Sequence, residues 1–203
     1  MIGKDWFATD DGRCNASEVV SQAEELTEPY RLYRFLTDLE DVLNRIEDDR
    51  LRLQAICPLV RQLLASSSWL QITPLEPDPQ TGWEVSVLYD EPFFPLTVQL
   101  VAWAPGVISP IHNHGCWGLV ALLSGEEKNT FWRRSSTAKS PDTIEAAGDC
   151  LLNPGDILCL MPDAIHHVEA MGDLPTISFN LYGETNYDRR FEFDPILGTA
   201  KNF

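Results

Sequence analysis

The sequence predicts a mainly β protein, a sandwich or barrel of short strands preceded by α-helices. Before residue 73 apolar residues recur at the spacing of amphipathic helices, whereas after residue 82 they follow the period-2 pattern of strands. Gly- and Pro-containing turns also divide the second part of the chain at short intervals, which is typical of β-rich domains. A turn-rich run, TPLEPDPQTG (73–82), separates the two patterns.

The first third of the chain is expected to be helical after a loose start. Residues 1–14 are polar and lack a periodic pattern, so we expect an N-terminal arm. A helix is predicted from Asn15 or Ser17, and a second from Thr27. A third apolar stripe is interrupted by Pro58, which predicts a kink or a break. We interpret the three stripes as packing surfaces.

Eight strands are predicted in the second part of the chain. Each is a short apolar or alternating run that ends in a turn signal such as APG, SGEE, NPGD or MGDLP. The expected ranges are 85–89, 96–103, 119–123, 130–132, 149–152, 157–160, 167–170 and 176–182.

Composition limits the partners and the compartment that we expect. The chain has 15 Lys and Arg against 31 Asp and Glu, a formal net charge of −16. This argues against nucleic acid or an anionic membrane surface as a partner, because both require a basic surface. The sequence has no signal-peptide core and no apolar run of membrane length. Five cysteines without CxxC spacing are most simply interpreted as reduced thiols in a cytoplasmic protein.

All four histidines of the chain lie in two short blocks. VAWAPGVISPIHNHGCWGLVALLSG (101–125) contains His112 and His114, and their spacing of two predicts imidazoles on one face of a strand. The second block contains His166 and His167. Adjacent residues of a strand point to opposite faces, so only one of these two can join the first pair. Histidines grouped in this way are typical ligands of a transition metal.

The two blocks resemble the paired motifs of the cupin superfamily, a double-stranded β-barrel that carries a metal in its mouth. Cupins commonly have a glutamate ligand where this chain has Gly118, so the resemblance implies a metal site of three histidines. Its ligands would be His112, His114 and His166. The matching pattern is Gly106-x5-His112-x-His114-x3-Gly118-x6-Gly125, then Gly148-x5-Pro154-Gly155-Asp156 and MPDAIH ending at His166.

On this resemblance we expect one domain with three parts. A helical segment over 1–72 would pack on the barrel. The cupin barrel, of the jelly-roll type, would occupy 83–183 and contain the metal site. A C-terminal tail over 184–203 has no assigned structure.

A three-histidine cupin of this sequence resembles the cysteine dioxygenase family of thiol dioxygenases, especially its bacterial branch. The matching segments are WAPGVISPIHNH with the following WG, IHHVEA and ISFNLYG. That family carries a Ser-x-His-x-Tyr relay near the metal, and the resemblance implies catalytic roles for the corresponding Ser178, Asn180 and Tyr182. Asn180 replaces the histidine of the relay and cannot titrate near neutral pH. The implied metal is Fe(II), although three imidazoles also accept Zn or Ni.

One element of the family pattern is missing. The family binds a substrate carboxylate with an Arg or a Gln on the strand before the metal motif, but 83–91 (WEVSVLYDE) contains neither. Ser86, Tyr89 or an arginine from elsewhere would have to replace it. The arginines considered are Arg133, Arg134, Arg189 and Arg190.

The expected function is that of a non-haem iron dioxygenase. It would add O₂ to the sulfur of a small thiol, such as cysteine or 3-mercaptopropionate, and give a sulfinate. The expected partners are a small-molecule substrate and O₂, with a homodimer left open. Two alternatives also stay open: a three-histidine cupin that cleaves a carbon–carbon bond of a diketone-like substrate, and a non-catalytic cupin that binds metal or a small ligand. Cys116 is interpreted as a buried residue and not as a fourth ligand.

Overall fold

The period-2 pattern of the second part of the chain corresponds to two β-sheets in the computed structural model. The structure describes residues 3–17, 29–72, 75–94, 96–136 and 141–203. The mainly β prediction is confirmed, and strands are present at all eight predicted places. The strands are β1 (Asp5–Ala8), β2 (Cys14–Ser17), β3 (Trp83–Asp90), β4 (Leu96–Trp103), β5 (Ile111–His112), β6 (Gly118–Ser124), β7 (Glu126–Arg134), β8 (Ile144–Leu152), β9 (Ile157–Leu160), β10 (Ile165–Met171), β11 (Thr176–Gly183), β12 (Phe191–Asp194) and β13 (Thr199–Asn202).

The strand order places the two histidine blocks beside each other. One sheet has seven strands in the order β2-β1-β9-β6-β11-β4-β3, and the other has six in the order β13-β12-β5-β10-β7-β8. In the six-stranded sheet β5 and β10 are antiparallel neighbours, with His112 opposite His166. Between the sheets, apolar side chains of β6 and β9 pack with Phe131 and Leu152 in one buried cluster.

Helices cover the other face of the seven-stranded sheet. They are α1 (Leu32–Arg45), α2 (Asp49–Ser66) and α3 (Ser68–Ile72). The apolar stripes of α1 and α2 share one buried cluster with alternate residues of β4, β6, β9 and β11. The rings of Phe35 and Phe179, for example, have centroids 6.0 Å apart. None of the described helices is long and apolar enough to cross a membrane.

Of the kink or break predicted at Pro58, the break is wrong, because α2 continues through this residue. Proline removes one backbone hydrogen bond and costs a helix about 3 kcal/mol. Ile56, Cys57 and Val60 on either side of it are buried, and this packing offsets the cost. Asp48 caps the start of the helix by accepting a hydrogen bond of 2.8 Å from the backbone of Leu51.

The predicted loose N-terminal arm is also wrong. Residues 5–8 form β1, which pairs with β2 and, in parallel, with β9. The backbone N–H of Lys4 donates to the buried carboxylate of Asp156 at 2.7 Å. A strand of four residues is too short to show a period, so no local pattern predicted it. Asn15 and Ser17 belong to β2, and the remainder of the helix predicted there lies outside the described residues, as does the start predicted at Thr27.

The C-terminal tail has a structure that the sequence did not indicate. β12 and β13 form a hairpin, and β12 pairs with β5 so that Glu192 lies opposite His112. The tail therefore completes the six-stranded sheet next to the first histidine block.

Candidate metal centre

Three histidines converge where β5 and β10 meet. The ring centroid of His112 lies 4.8 Å from that of His114 and 4.8 Å from that of His166. The centroids of His114 and His166 are 5.2 Å apart. One nitrogen from each ring lies within 4.8 Å of the others. The structure thus brings together the three residues that the sequence predicted as metal ligands.

The expectation that His112 and His114 share a strand is wrong in detail. β5 ends at His112, and His114 lies in the following loop. The loop turns at Gly115, whose φ of +66° strongly favours glycine. The buried side chain of Asn113 holds the loop. Its Nδ2 donates to the backbone oxygen of Arg189 at 2.7 Å, and its Oδ1 accepts from the backbone N–H of Phe191 at 2.8 Å.

The hydrogen bonds of two of the rings direct their Nε2 atoms to the centre. Nδ1 of His112 lies 2.9 Å from the carbonyl oxygen of Pro110, which can only accept, so Nδ1 carries the proton. Nδ1 of His166 lies 2.8 Å from Oδ1 of Asn129. The Nε2 atoms of His114 and His166 are 3.0 Å apart. Two ligands at about 2.1 Å from a metal and at right angles to each other have this separation, so this pair of rings fits a divalent ion.

The surroundings of the rings keep them neutral. Burial lowers the pKa of His112, and it lowers the pKa values of His114 and His166 well below the ordinary range. The positive charge of Arg190 lowers the pKa values of His112 and His114 further. Neutral imidazoles have a free lone pair, which metal binding requires.

His167 and Cys116 lie outside this group. Nδ1 of His167 accepts a hydrogen bond of 3.0 Å from the indole of Trp132, on the opposite face of β10 from His166. Cys116 is buried, and its sulfur lies 3.7 Å from the hydroxyl of Thr185.

The three predicted relay residues share one face of β11 and form a hydrogen-bonded chain. The hydroxyl of Tyr182 donates to Oδ1 of Asn180 at 3.1 Å, and the Asn180 amide donates to the hydroxyl of Ser178 at 2.8 Å. The Tyr182 ring stacks on His114, with centroids 4.7 Å apart and planes inclined by 27°. Burial raises the pKa of the Tyr182 hydroxyl, so it stays protonated at neutral pH.

Gly118, the position at which the resemblance to cupins implied a missing carboxylate ligand, makes room for Tyr182. The two residues are opposite each other on β6 and β11. A Cβ atom on Gly118 would lie 3.0 Å from two carbons of the tyrosine ring. A side chain at this position would therefore press on the tyrosine that stacks on His114.

Replacement of Gly118 with alanine is expected to press the Tyr182 ring away from His114. The added methyl group overpacks the contact and should lower the free energy of unfolding by about 1–3 kcal/mol. The three histidines are untouched, so metal content should persist. Urea unfolding and metal analysis would check both expectations. Gly148→Ala is the matched control, because nothing lies within 4 Å of a Cβ there, and an equal loss in both variants would contradict the explanation.

A buried polar pair behind His166 escaped the sequence prediction. Asn129 is fully buried, and its amide donates to the carboxylate of Glu127 at 2.9 Å. Only 2% of Glu127 is exposed, and burial raises the pKa of its carboxyl to about 7 even though the Asn129 hydrogen bond lowers it. The alternation of EEKNTFWRR (126–134) puts both residues on the face of Phe131. The presence of two polar residues on the same face as Phe131 was the sequence signal that could have indicated this buried pair.

Replacement of Glu127 with glutamine is expected to change the pH dependence of stability in the metal-free protein. The pKa is about 7 when folded and 4.5 when exposed, so the carboxyl contributes stability below pH 4.5 that is lost as the pH rises through 7. Glutamine does not ionise. The unfolding free energy of the variant relative to the parent should therefore increase by about 2.5 kcal/mol between about pH 5 and about pH 9.

Urea unfolding at the two pH values would measure this difference. The control is Glu126→Gln, since Glu126 is the exposed neighbour on the same strand. A variant that follows the parent at both pH values would show that folding does not raise the pKa of Glu127.

Arg190 is the cation beside the histidines. Its guanidinium lies over the ring of Phe203, 4.2 Å from the centroid, and that ring is 5.9 Å from the ring of His112. Nε of Arg190 is buried and lacks a hydrogen-bond partner among the described residues. The other three arginines considered each have a carboxylate partner: Arg133 with Glu145, Arg134 with Asp142, and Arg189 with Asp163.

Tyr89 takes no part in this site. Its hydroxyl donates to Glu91 at 2.8 Å, and the ring packs against the helix-covered cluster. Ser86 lies on β3, at one edge of the seven-stranded sheet. Of the candidates, Arg190 is the one whose positive charge acts on both His112 and His114, and its guanidinium contacts the Phe203 ring beside His112.

No protein-family model matches the chain. Among solved structures it is similar to a cupin superfamily protein from Desulfitobacterium hafniense, with 16% identity and a TM-score of 0.40 over 55% of this chain and 82% of that one. It is similar to a conserved protein with a double-stranded β-helix domain from Klebsiella pneumoniae, with 18% identity and a TM-score of 0.43 over 57% and 83%. A third is oxalate oxidase in complex with the substrate analogue glycolate, with 14% identity and a TM-score of 0.40 over 57% of this chain and only 58% of that one. These likenesses assign no activity to this chain.

Proposed function

We propose that this chain is a metal-dependent dioxygenase of the cupin type that oxidises a small anionic thiol to a sulfinate. The observation that carries the proposal is the convergence of three histidine nitrogens beneath the stacked ring of Tyr182. In this proposal the two sheets are the halves of a double-stranded barrel. The helices over 1–72 and the tail over 184–203 belong to the same domain.

His112, His114 and His166 would hold the metal, and Fe(II) is the proposed ion. When bound, Fe(II) supplies open coordination positions at which a thiolate and O₂ meet and electrons pass between them. The three rings are neutral, so the full positive charge of the ion is available to favour the thiolate over the thiol.

The overall reaction balances without another reductant. The thiol RSH and O₂ give the sulfinic acid RSO₂H, with two sulfur–oxygen bonds formed, the oxygen–oxygen bond broken and the thiol proton passed from sulfur to oxygen. The sulfur loses four electrons and the two oxygen atoms gain them. The chain therefore needs no site for a nicotinamide or a flavin.

Tyr182 would orient the substrate beside His114. Its hydroxyl proton is donated to Asn180, and Ser178 fixes the amide of Asn180 in the orientation that accepts it. The lone pairs of the phenol oxygen can then accept a hydrogen bond from the substrate. Because Tyr182 stays protonated, it can also donate one after turning from Asn180.

Arg190 would bind the anionic end of the substrate. It supplies positive charge beside the histidines of a chain whose formal net charge is −16. Arg190 has no carboxylate partner among the described residues, and an arginine of this kind can form a paired, charge-assisted contact with a substrate carboxylate. A short thiol acid would then be held at both ends, by Arg190 and at the metal.

Oxygen uptake by the Fe(II)-loaded protein tests the proposal. We expect uptake with 3-mercaptopropionate or cysteine, one O₂ consumed per thiol, and a product heavier by two oxygen atoms. β-Diketones and cysteamine complete the panel. Uptake with diketones alone would favour carbon–carbon cleavage. Firm metal occupancy without uptake on any substrate would favour a binding protein without turnover.

A further inference from the structure

We propose that Glu127 is a positioning residue for the metal centre, and that it acts through Asn129 to fix the tautomer and orientation of His166. The inference rests on the proposed metal site. It concerns a carboxylate that lies two hydrogen bonds behind the nearest ligand and that the expected three-histidine arrangement does not include.

The strand register places the three residues in one line. Glu127 and Asn129 alternate with outward-facing residues on β7, and β7 pairs with β10 so that Asn129 lies opposite Val168 and Phe131 opposite His166. Nδ1 of His166 is 2.8 Å from Oδ1 of Asn129, and Nδ2 of Asn129 is 2.9 Å from Oε1 of Glu127. The line therefore runs from the metal centre into the space between the sheets.

The two ends of the Asn129 amide have opposite hydrogen-bonding character. An ionised carboxylate can only accept, so Glu127 requires the NH₂ end of the amide. The carbonyl end must then face His166, where it accepts a proton from Nδ1. His166 is thereby held in the tautomer whose Nε2 carries a lone pair toward the centre.

The burial of Glu127 supports a role beyond packing. An ionised carboxylate away from water is costly unless a hydrogen bond or a positive charge compensates it. Among the described residues its side chain has one hydrogen-bond partner, Asn129, and no ion pair. A dipositive ion held by the three histidines would provide the missing positive charge. Gly118 provides no carboxylate ligand for the metal. Glu127 instead supplies negative charge near the centre, from behind His166.

The first test is made on the metal-free protein, so it does not depend on turnover. Nitrogen-15 NMR of the histidine rings, recorded above the pKa of Glu127, reports which nitrogen carries the proton. We expect the Nδ1–H tautomer for His166 in the parent. In Glu127→Gln the side-chain amide can donate as well as accept, so Asn129 can turn and both tautomers should appear. An unchanged His166 tautomer in this variant would overturn the proposal.

The second test is metal affinity, measured by titration with Zn²⁺ or Co²⁺. Loss of an outer partner of a histidine ligand typically costs roughly 10–100-fold in affinity. We expect a loss in this range for Asn129→Leu and a smaller one for Glu127→Gln, with none for the exposed control Glu126→Gln. Unfolding curves show whether each variant is folded.

A double variant distinguishes positioning from simple packing. In Asn129→Asp the two carboxylates face each other, and affinity should fall. In Asn129→Asp with Glu127→Gln, the new Asp accepts from His166 and the new Gln donates to the Asp. Restored affinity and a restored Nδ1–H tautomer are expected, and failure of both to recover would contradict the proposal. The variants could show the expected changes in His166 tautomer and metal affinity while the parent takes up no oxygen. That result would contradict the proposed reaction and support the positioning role of Glu127.

Discussion

Replacement of His166 with alanine is expected to remove most of the bound metal and all oxygen uptake. His166 is buried, pairs in register with His112, and directs Nε2 to within 3.0 Å of the Nε2 of His114. Two imidazoles alone hold a divalent ion far less firmly than three. Metal analysis after loading with Fe(II) and desalting, together with an oxygen electrode, would measure the two effects.

His167→Ala is the matched control, since it changes the neighbouring residue on the same strand. Its ring lies on the other face and contacts Trp132, so the variant should keep its metal and lose only some stability. The reverse pattern, with metal lost in His167→Ala and retained in His166→Ala, would mean that the register of β10 is wrong.

Replacement of Arg190 with glutamine is expected to reduce the use of thiols that carry a carboxylate. We expect kcat/KM for 3-mercaptopropionate to fall roughly a hundredfold, because loss of one partner of a desolvated charge pair costs about 3 kcal/mol. Cysteamine has no carboxylate, so its kcat/KM should change little. Steady-state oxygen uptake with both thiols would measure the ratio.

Arg189→Gln is the control for this change. Arg189 is the adjacent arginine, is more than half exposed and forms an ion pair with Asp163. We expect it to retain the parent's preference for the anionic thiol. Equal losses on both thiols in Arg190→Gln would indicate that the arginine maintains the structure of the tail and does not bind substrate.

The parts of the fold that the sequence predicted are those with a strong local pattern. The range 96–103 is predicted and observed as a strand with the same bounds, because apolar and polar residues alternate from Leu96 to Leu100 and turn signals lie on both sides of the run. The apolar stripe of α1 likewise predicted the face that packs near Phe179. Patterns of this kind depend on neighbours within a few residues.

The parts that escaped prediction depend on pairing between distant segments. β12 is four residues long and gains its place by pairing with β5, some eighty positions earlier in the chain. Arg190 reaches the centre only through this pairing. Pro58 predicted a break because the local rule does not include the buried neighbours that hold α2 together.

The candidate site shows the same division. The spacing of His112 and His114 predicted that they meet, and strand alternation predicted that only one of His166 and His167 joins them. The choice of His166 came from the resemblance to the cupin motifs. The residue spacing did not predict that His114 lies in a loop, which follows from the buried hydrogen bonds of the Asn113 side chain. Nor did it predict why residue 118 is glycine, which requires the position of Tyr182 across the sheet.

X-ray absorption at the iron edge shows which atoms surround the bound metal. We expect a first shell that contains three imidazole nitrogens in the Fe(II)-loaded protein under nitrogen gas. After addition of 3-mercaptopropionate we expect a sulfur atom in that shell. A shell without imidazoles would contradict the metal site, and a spectrum that the thiol leaves unchanged would contradict the proposed substrate.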